Sequence, residues 1–263
     1  MTVVVVDAAV DPPPELERAG AIRPVRSELT IDGQSCPVSA TAGWQALLAG
    51  RSVVTAPPSA LVLADAYNKS PVPAAGVHVS SKLSATYAMA RQVVDAQKAA
   101  VLVVDSGSMA AGAGLVVLGV LEELRRGEVA EAARVPDRVR TYVLVAQPRW
   151  LEQSGHASLL PAGGPSRHPL VGLVHGRAFV LGESRSWEQG VRQLTRQAAR
   201  LLDQPGSRWA CSLAPGPRGE ETEAATILRA MIGSGPVFVA RLNPVVGAHL
   251  GPASVVLAVL GPR

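Results

Sequence analysis

Three short segments carry the side chains best suited to binding or reaction: Thr55-Ala56-Pro57-Pro58-Ser59, Ser80-Ser81-Lys82-Leu83-Ser84-Ala85-Thr86-Tyr87 and His249-Leu250-Gly251-Pro252-Ala253-Ser254. In the second, a short apolar run at 77–79 ends in small hydroxyls, and a helical pattern over 85–97 begins directly after them. Hydroxyls at a strand-to-helix turn stand beside the unpaired N–H groups of the first helical turn. Such a place favours an anion, and a carboxylate or a phosphate suits it. The cluster holds one lysine, Lys82, and no Arg or His. It would therefore hold the anion by neutral hydrogen bonds rather than by strong charge. Thr55 ends a short strand at 52–54 and can face the same rim as Ser81, whereas Ser59 reads as the cap of the next helix. The segment that opens with His249 reads, taken alone, as a turn before the last strand.

Other chemistries find less support. Gly112-Ala113-Gly114 has part of a dinucleotide fingerprint, but its third glycine is misplaced and the pair sits inside a helical pattern, so helix packing is the better reading. No Walker A, HExxH or GxSxG pattern is present. The five histidines are scattered without ligand spacing, and no metal site is expected. Ser81, His249 and Asp105 would supply a Ser/His/Asp hydrolase, yet the sequence shows neither an elbow that exposes the serine nor a base beside it. Cys36 and Cys211 are far apart and support neither a disulfide framework nor zinc. The net charge of +4 is spread over scattered arginines without interleaved aromatics, so no nucleic acid partner is expected. The opening residues lack the basic start of a signal peptide, and the longest apolar stretch, 110–121, is short of the ~18 residues of a span. These features predict a cytoplasmic protein with no stable membrane insertion.

The elements that must position these residues follow from the hydrophobic pattern. The chain has 263 residues, 48% hydrophobic but 3% aromatic, which predicts an aliphatic core of Ala, Val and Leu. Strand patterns at 3–6, 22–25, 76–79 and 100–104 alternate with helical patterns at 14–19, 41–48, 61–67, 85–97 and 112–126. That alternation predicts a parallel sheet wrapped by helices, with ligands beyond the carboxyl ends of its strands. Asp7, Thr55, residues 80–84 and Asp105 all follow strand patterns and would converge on one rim. The second half carries strand patterns at 142–145, 170–174, 178–181, 209–213, 237–242 and 255–260, with helices at 187–202 and 220–231. A hairpin across His175-Gly176-Arg177 predicts a mixed sheet there, and the Gly/Pro-rich stretch 161–169 reads as a loop.

The motifs and their order resemble the DegV family of bacterial fatty-acid-binding proteins along nearly the whole chain. Asp7 closes an opening strand similar to the family's "DS" strand. Thr55-Ala56-Pro57-Pro58-Ser59 resembles its "TSQPS" turn. Ser80 to Tyr87 resembles "SSxLSGTY" and is the strongest match. Val104-Asp105-Ser106 resembles "VDS", Arg149-Trp150-Leu151-Glu152-Gln153-Ser154-Gly155 resembles "YLxxGGR", and His249-Leu250-Gly251-Pro252 resembles "HxGPG". Ala56 and Pro57 replace the usual Ser and Gln, Ala85 and Ala253 each replace a Gly, and His156 stands where an Arg is expected.

The resemblance implies two α/β domains. Residues 1–140 would form an N-terminal domain with a Rossmann-like parallel sheet, and residues 141–263 a C-terminal domain with a mixed sheet that closes over a ligand cleft. It implies a long-chain fatty acid in that cleft, its carboxylate held by Thr55 and Ser81 with His249 nearby. Ser80, Ser84 and Gly251 would support the site, Ser84 as a helix cap. It further implies a carrier without catalytic residues or cofactor, which presents the acid to a fatty acid kinase, and Arg185 lies near a position where such a kinase would touch. Two other readings stand beside this one. One is a diverged interaction or regulatory protein with an altered pocket, and the other is a Ser hydrolase acting through Ser81.

Overall fold

The structure is a computed structural model that describes residues 2–36, 40–70, 74–161 and 167–263. Five of the residues expected in the 161–169 loop, 162–166, lie outside the described residues.

The chain opens with β1 (Val3–Asp7), whose valines are buried on both faces of the strand. Such a run belongs in the middle of a parallel sheet. Helix α1 (Pro14–Arg18) starts on a proline, whose fixed φ and missing N–H suit a first helical turn, and leads to β2 (Ile22–Val25). Next comes a hairpin that the hydrophobic pattern did not predict, β3 (Glu28–Ile31) and β4 (Gln34–Cys36). Its two-residue turn, Asp32-Gly33, has positive φ at both positions (49° and 80°), the geometry that an Asp-Gly pair favours. After α2 (Ala40–Leu48), β5 (Val53–Ala56) returns to pair antiparallel with β3 and completes a three-stranded sheet in the order β4-β3-β5. Ser59 then caps α3 (Ala60–Asn68) as expected, accepting the Val62 N–H.

Buried β6 (Ala74–His78), α4 (Thr86–Gln97) and β7 (Leu102–Asp105) finish the parallel sheet, ordered β2-β1-β6-β7. Helix α5 (Ala110–Arg125) follows, then a short α6 (Val129–Arg134). A Cβ on Gly112 would meet the Ser108 and Thr141 hydroxyls, and one on Gly114 the Asp11 carbonyl oxygen. These glycines let α5 pack close to its neighbours, which is the packing role expected of them. Its aliphatic face joins Val4, Val6 and Val77 of the parallel sheet to Ala258 and Leu260 of the second sheet in one continuous core.

The second sheet begins with β8 (Val139–Leu144), so the expected division after residue 140 falls inside this strand. It continues through α7 (Arg149–Gln153), β9 (His168–Val174), β10 (Arg177–Ser184), α8 (Trp187–Leu202), β11 (Arg208–Leu213), α9 (Glu220–Ile232), β12 (Phe238–Arg241), α10 (Pro244–Leu250) and β13 (Val255–Leu260). The strand order is β10-β9-β8-β13-β11-β12. Only the β11–β12 pair is parallel among these described strands, so the sheet is mixed as expected. The β9–β10 turn is His175-Gly176, both at positive φ, and Gly176 donates its N–H to the Gly107 carbonyl at 2.8 Å. A Cβ on Gly176 would meet Ser80 Oγ, so this hairpin seats directly on the hydroxyl turn after β6. Among the described residues no helix is long and apolar enough to cross a membrane.

Candidate functional site

A cavity of about 710 Å³ lies between the sheets. Val143, Val171, Leu173 and Ala178 line it from β8, β9 and β10, and Val245, Val246 and Leu250 from α10. Ala9, Val79, Leu83 and Met109 face it from the parallel-sheet side. The walls are therefore mostly aliphatic. The polar groups on them are few: Asp7, Ser27, Thr55, Lys82, Ser84, Thr86, His156, Ser158, Arg177 and His249.

Thr55 and His249, 194 positions apart, meet here. Thr55 Oγ1 lies 3.2 Å from His249 Nε2. Helix α10 brings the histidine. Asn243 caps it by accepting the Val245 N–H, and Pro244 supplies the first turn. Trp44 of α2 donates from Nε1 to the Leu242 carbonyl at 2.8 Å and lies against Gly247, which anchors the helix. The last turn then presents His249, and Gly251 ends the helix at φ +80°. Ser254 locks that end, donating to the Leu250 carbonyl and accepting the Ala146 N–H. The other ring nitrogen of His249, Nδ1, is buried and has no partner among the described residues. Burial pushes the His249 imidazole below its ordinary pKa, and nearby His156 pushes the same way. The two rings lie 5.6 Å apart, tilted by 53°.

The hydroxyl turn after β6 divides its labour. Ser80 is fully buried, and its Oγ accepts the Lys82 N–H while its carbonyl accepts the N–H groups of Leu83 and Ser84. Ser81 is exposed and is absent from the cavity wall; its backbone N–H donates to Asp105 Oδ1. Ser84 does line the cavity, and its Oγ accepts the Thr86 N–H at the start of α4, although the cap position itself is Ala85, which makes no side-chain cap bond. Asp7 reaches the rim but is already engaged. Its carboxylate accepts from Ala9 N, Val79 N and His78 Nδ1, and His78 Nε2 pairs with the Tyr67 hydroxyl at 2.7 Å. Of the groups expected on one rim, Asp7, Thr55 and Lys82 to Ser84 share the cavity, whereas Asp105 braces the turn from behind.

The family model for DegV proteins, a family described as uncharacterised, matches residues 1–261. The chain belongs to the DegV family. A DegV domain-containing protein of Mycobacterium tuberculosis is 25% identical over 97% of this chain and 96% of its own. Among solved structures, a DegV lipid-binding protein of Thermotoga maritima superposes with a TM-score of 0.83, at 18% identity over 98% of both chains. A stearic acid-binding protein of Eubacterium ventriosum gives 0.87 at 17% identity, over 99% of this chain and 98% of that one. A fatty-acid-binding DegV protein of Thermus thermophilus gives 0.79 at 20% identity over 99% of both. These likenesses establish the two-domain α/β fold.

The departures from the DegV pattern now have places. Ala56, Pro57 and Ala85 line the cavity, and Ala85 has an ordinary φ of −74°, so its Cβ strains nothing. Ala253 has φ +60°, which costs an L-residue about 1 kcal/mol or more. His156 faces His249. Arg185 is exposed in the loop between β10 and α8. The Ser81/His249/Asp105 arrangement of a hydrolase is not assembled: Asp105 accepts backbone N–H groups from Ser81 and Gly107, and His249 pairs with Thr55. The described residues contain no cluster of three or more His, Cys, Asp or Glu that would hold a metal. Cys211 is a buried free thiol, pushed up to about 12 by burial.

Proposed function

We propose that this DegV protein binds one long-chain fatty acid in the cavity between its two domains and presents it to a fatty acid kinase without performing chemistry itself. The observation that carries this reading is the aliphatic cavity with the Thr55–His249 pair on its wall. Burying a chain of ~16 carbons contributes on the order of 10 kcal/mol gross at ~0.8 kcal/mol per methylene, less the cost of ordering it. The carboxylate must then find donors, because an unpaired buried charge is very costly. Thr55 Oγ1, a protonated His249 and the hydroxyls of the β6–α4 turn supply them. The stearic acid-binding and other fatty-acid-binding DegV structures support the same ligand class. Bulky side chains do not fill this space among the described residues, as the carrier reading requires. In this reading the chain divides near the start of β8 into a domain that holds the head group and a domain that closes over the acyl chain. The kinase docks on the surface that includes Arg185.

Extraction of the purified protein followed by mass spectrometry should release a long-chain fatty acid. No acyl ligand together with no uptake of added fatty acid would end the proposal. Head-group roles are separated by single substitutions in delipidated protein. Thr55→Val should weaken palmitate binding by about 1.5–3 kcal/mol, the worth of one hydrogen bond to a charged group. Ser84→Ala should weaken it more than Ser81→Ala, because Ser84 lines the cavity and Ser81 faces out. The reverse order would move the carboxylate to the outer side of the turn and restore Ser81 as its direct ligand.

A further inference from the structure

The His156 ring lies against His249 of the Thr55–His249 pair, with centroids 5.6 Å apart. It reaches the cavity from the turn after α7, on the opposite domain from Thr55. We infer that His156 and His249 act together as a proton-coupled head-group clamp: the carboxylate seats against the imidazole pair and the pair takes up one proton as it does so. The inference rests on the fatty-acid reading and adds to it both a residue and a pH dependence.

The geometry makes a shared proton natural. Two imidazoles with ring centroids 5.6 Å apart disfavour two positive charges side by side. An anion beside them reverses that balance, and the proton then belongs to the pair rather than to one ring. His249 Nδ1 is buried without a partner among the described residues, and Nε2 is the ring nitrogen that meets Thr55.

The other charged groups around the pair do not supply this behaviour. Lys82 and Arg177 line the same cavity, but both are exposed. Asp7 spends its carboxylate on three N–H groups. On α7, Arg149 stacks over the Trp150 ring and Glu152 is exposed. The remaining histidines have other partners: His78 is sealed between Asp7 and Tyr67, His168 meets the Ala146 carbonyl, and His175 pairs with Asp137.

The test measures palmitate affinity of delipidated wild type, His156→Gln and His156→Arg from pH 5.5 to 8, with circular dichroism to confirm folding. Comparing variants on one ligand cancels the fatty acid's own titration. Wild type should tighten, relative to His156→Gln, by up to about tenfold per pH unit as pH falls through the imidazole range. His156→Arg, with a fixed charge, should bind well at pH 8 and change less with pH. Ring-proton NMR of wild type should show the imidazole titration moving to higher pH on loading. Parallel profiles for wild type and His156→Gln, with affinities within twofold, would overturn the inference while leaving fatty-acid binding intact. Absence of binding by wild type at every pH would overturn the underlying reading and this inference with it.

Discussion

Gly251→Ala is expected to destabilise the fold by about 3–5 kcal/mol and to abolish tight ligand binding. Gly251 sits at φ +80°, ψ 174°, a conformation that L-residues rarely adopt. A Cβ there would also enter the Trp150 indole, contacting Cδ1, Nε1 and Cγ. Backbone strain of order 1–3 kcal/mol and overpacking of order 1–3 kcal/mol both act. The backbone cannot shift freely to relieve them, because the Gly251 N–H donates to the Gly247 carbonyl at 2.7 Å and Ser254 fixes the Leu250 carbonyl. His249 is two residues away, so relaxation would move the imidazole out of reach of Thr55. Denaturant unfolding checks the first effect. The double variant Gly251→Ala/Trp150→Ala checks the cause, since removing the indole should make the added methyl cost less than it does in the intact background. Additive costs would show that strain alone is responsible.

Asp11→Asn should stabilise the protein above neutral pH, by as much as about 4 kcal/mol. Asp11 is buried in the loop after β1 and accepts the Asn243 N–H at 3.2 Å, so it links the first strand to the cap of α10. Burial, the largest cause, pushes its carboxyl up to about 7, with Glu17 adding a little; Ser212 and the Asn243 N–H act the other way. Ser212 exerts that pull from a poor position: neither Asp11 Oδ2 nor Ser212 Oγ has a partner in hydrogen-bonding geometry among the described residues. The folded carboxyl thus holds its proton more tightly than the unfolded one, whose ordinary value is 3.8. Its contribution to stability is fully present below the unfolded pKa and is lost as pH rises through the folded one. A shift of about three units at ~1.36 kcal/mol each gives the upper figure. Asparagine keeps the acceptor for Asn243 and carries no charge to desolvate. Unfolding free energies at pH 5 and pH 8 should therefore show a variant advantage that grows with pH. An equal difference at both would mean that the Asp11 carboxyl is not raised by the fold and is already ionised at pH 5.

The parallel sheet, its helices and the mixed second sheet were legible because valine runs and alternating helical stripes dominate those segments. The β3–β4 hairpin was not, although Asp32-Gly33 is a strong two-residue turn signal; its strands are short and carry Glu, Thr, Gln and Ser. Helix α10 was not read from the pattern, because Pro244 and Gly247 obscure a helical stripe, yet Asn243-Pro244 is a cap followed by a first-turn proline; the turn expected from His249 begins at Gly251, after the helix ends. At the site, spacing alone could align Thr55 and His249 with a known pattern. It could not say which hydroxyl of the turn faces inward. That depends on Ser80 turning back to hold the Lys82 N–H and on Asp105 fastening Ser81 from outside. The partnership of His156 with His249 was equally hidden, since it arises where α7 and α10 pack together.

The cavity draws its walls from all three sheets: Thr55 and Ala56 from the small antiparallel sheet, Val79 from just beyond the parallel one, and Val143, Val171 and Leu173 from the mixed one. An occupant there would touch every layer at once and act as a cross-brace. Ligand present at about a hundred times its dissociation constant adds roughly 2.7 kcal/mol to stability. The melting temperature of a preparation would then serve as a gauge of its cargo, and a mixture of loaded and empty molecules would melt in two steps.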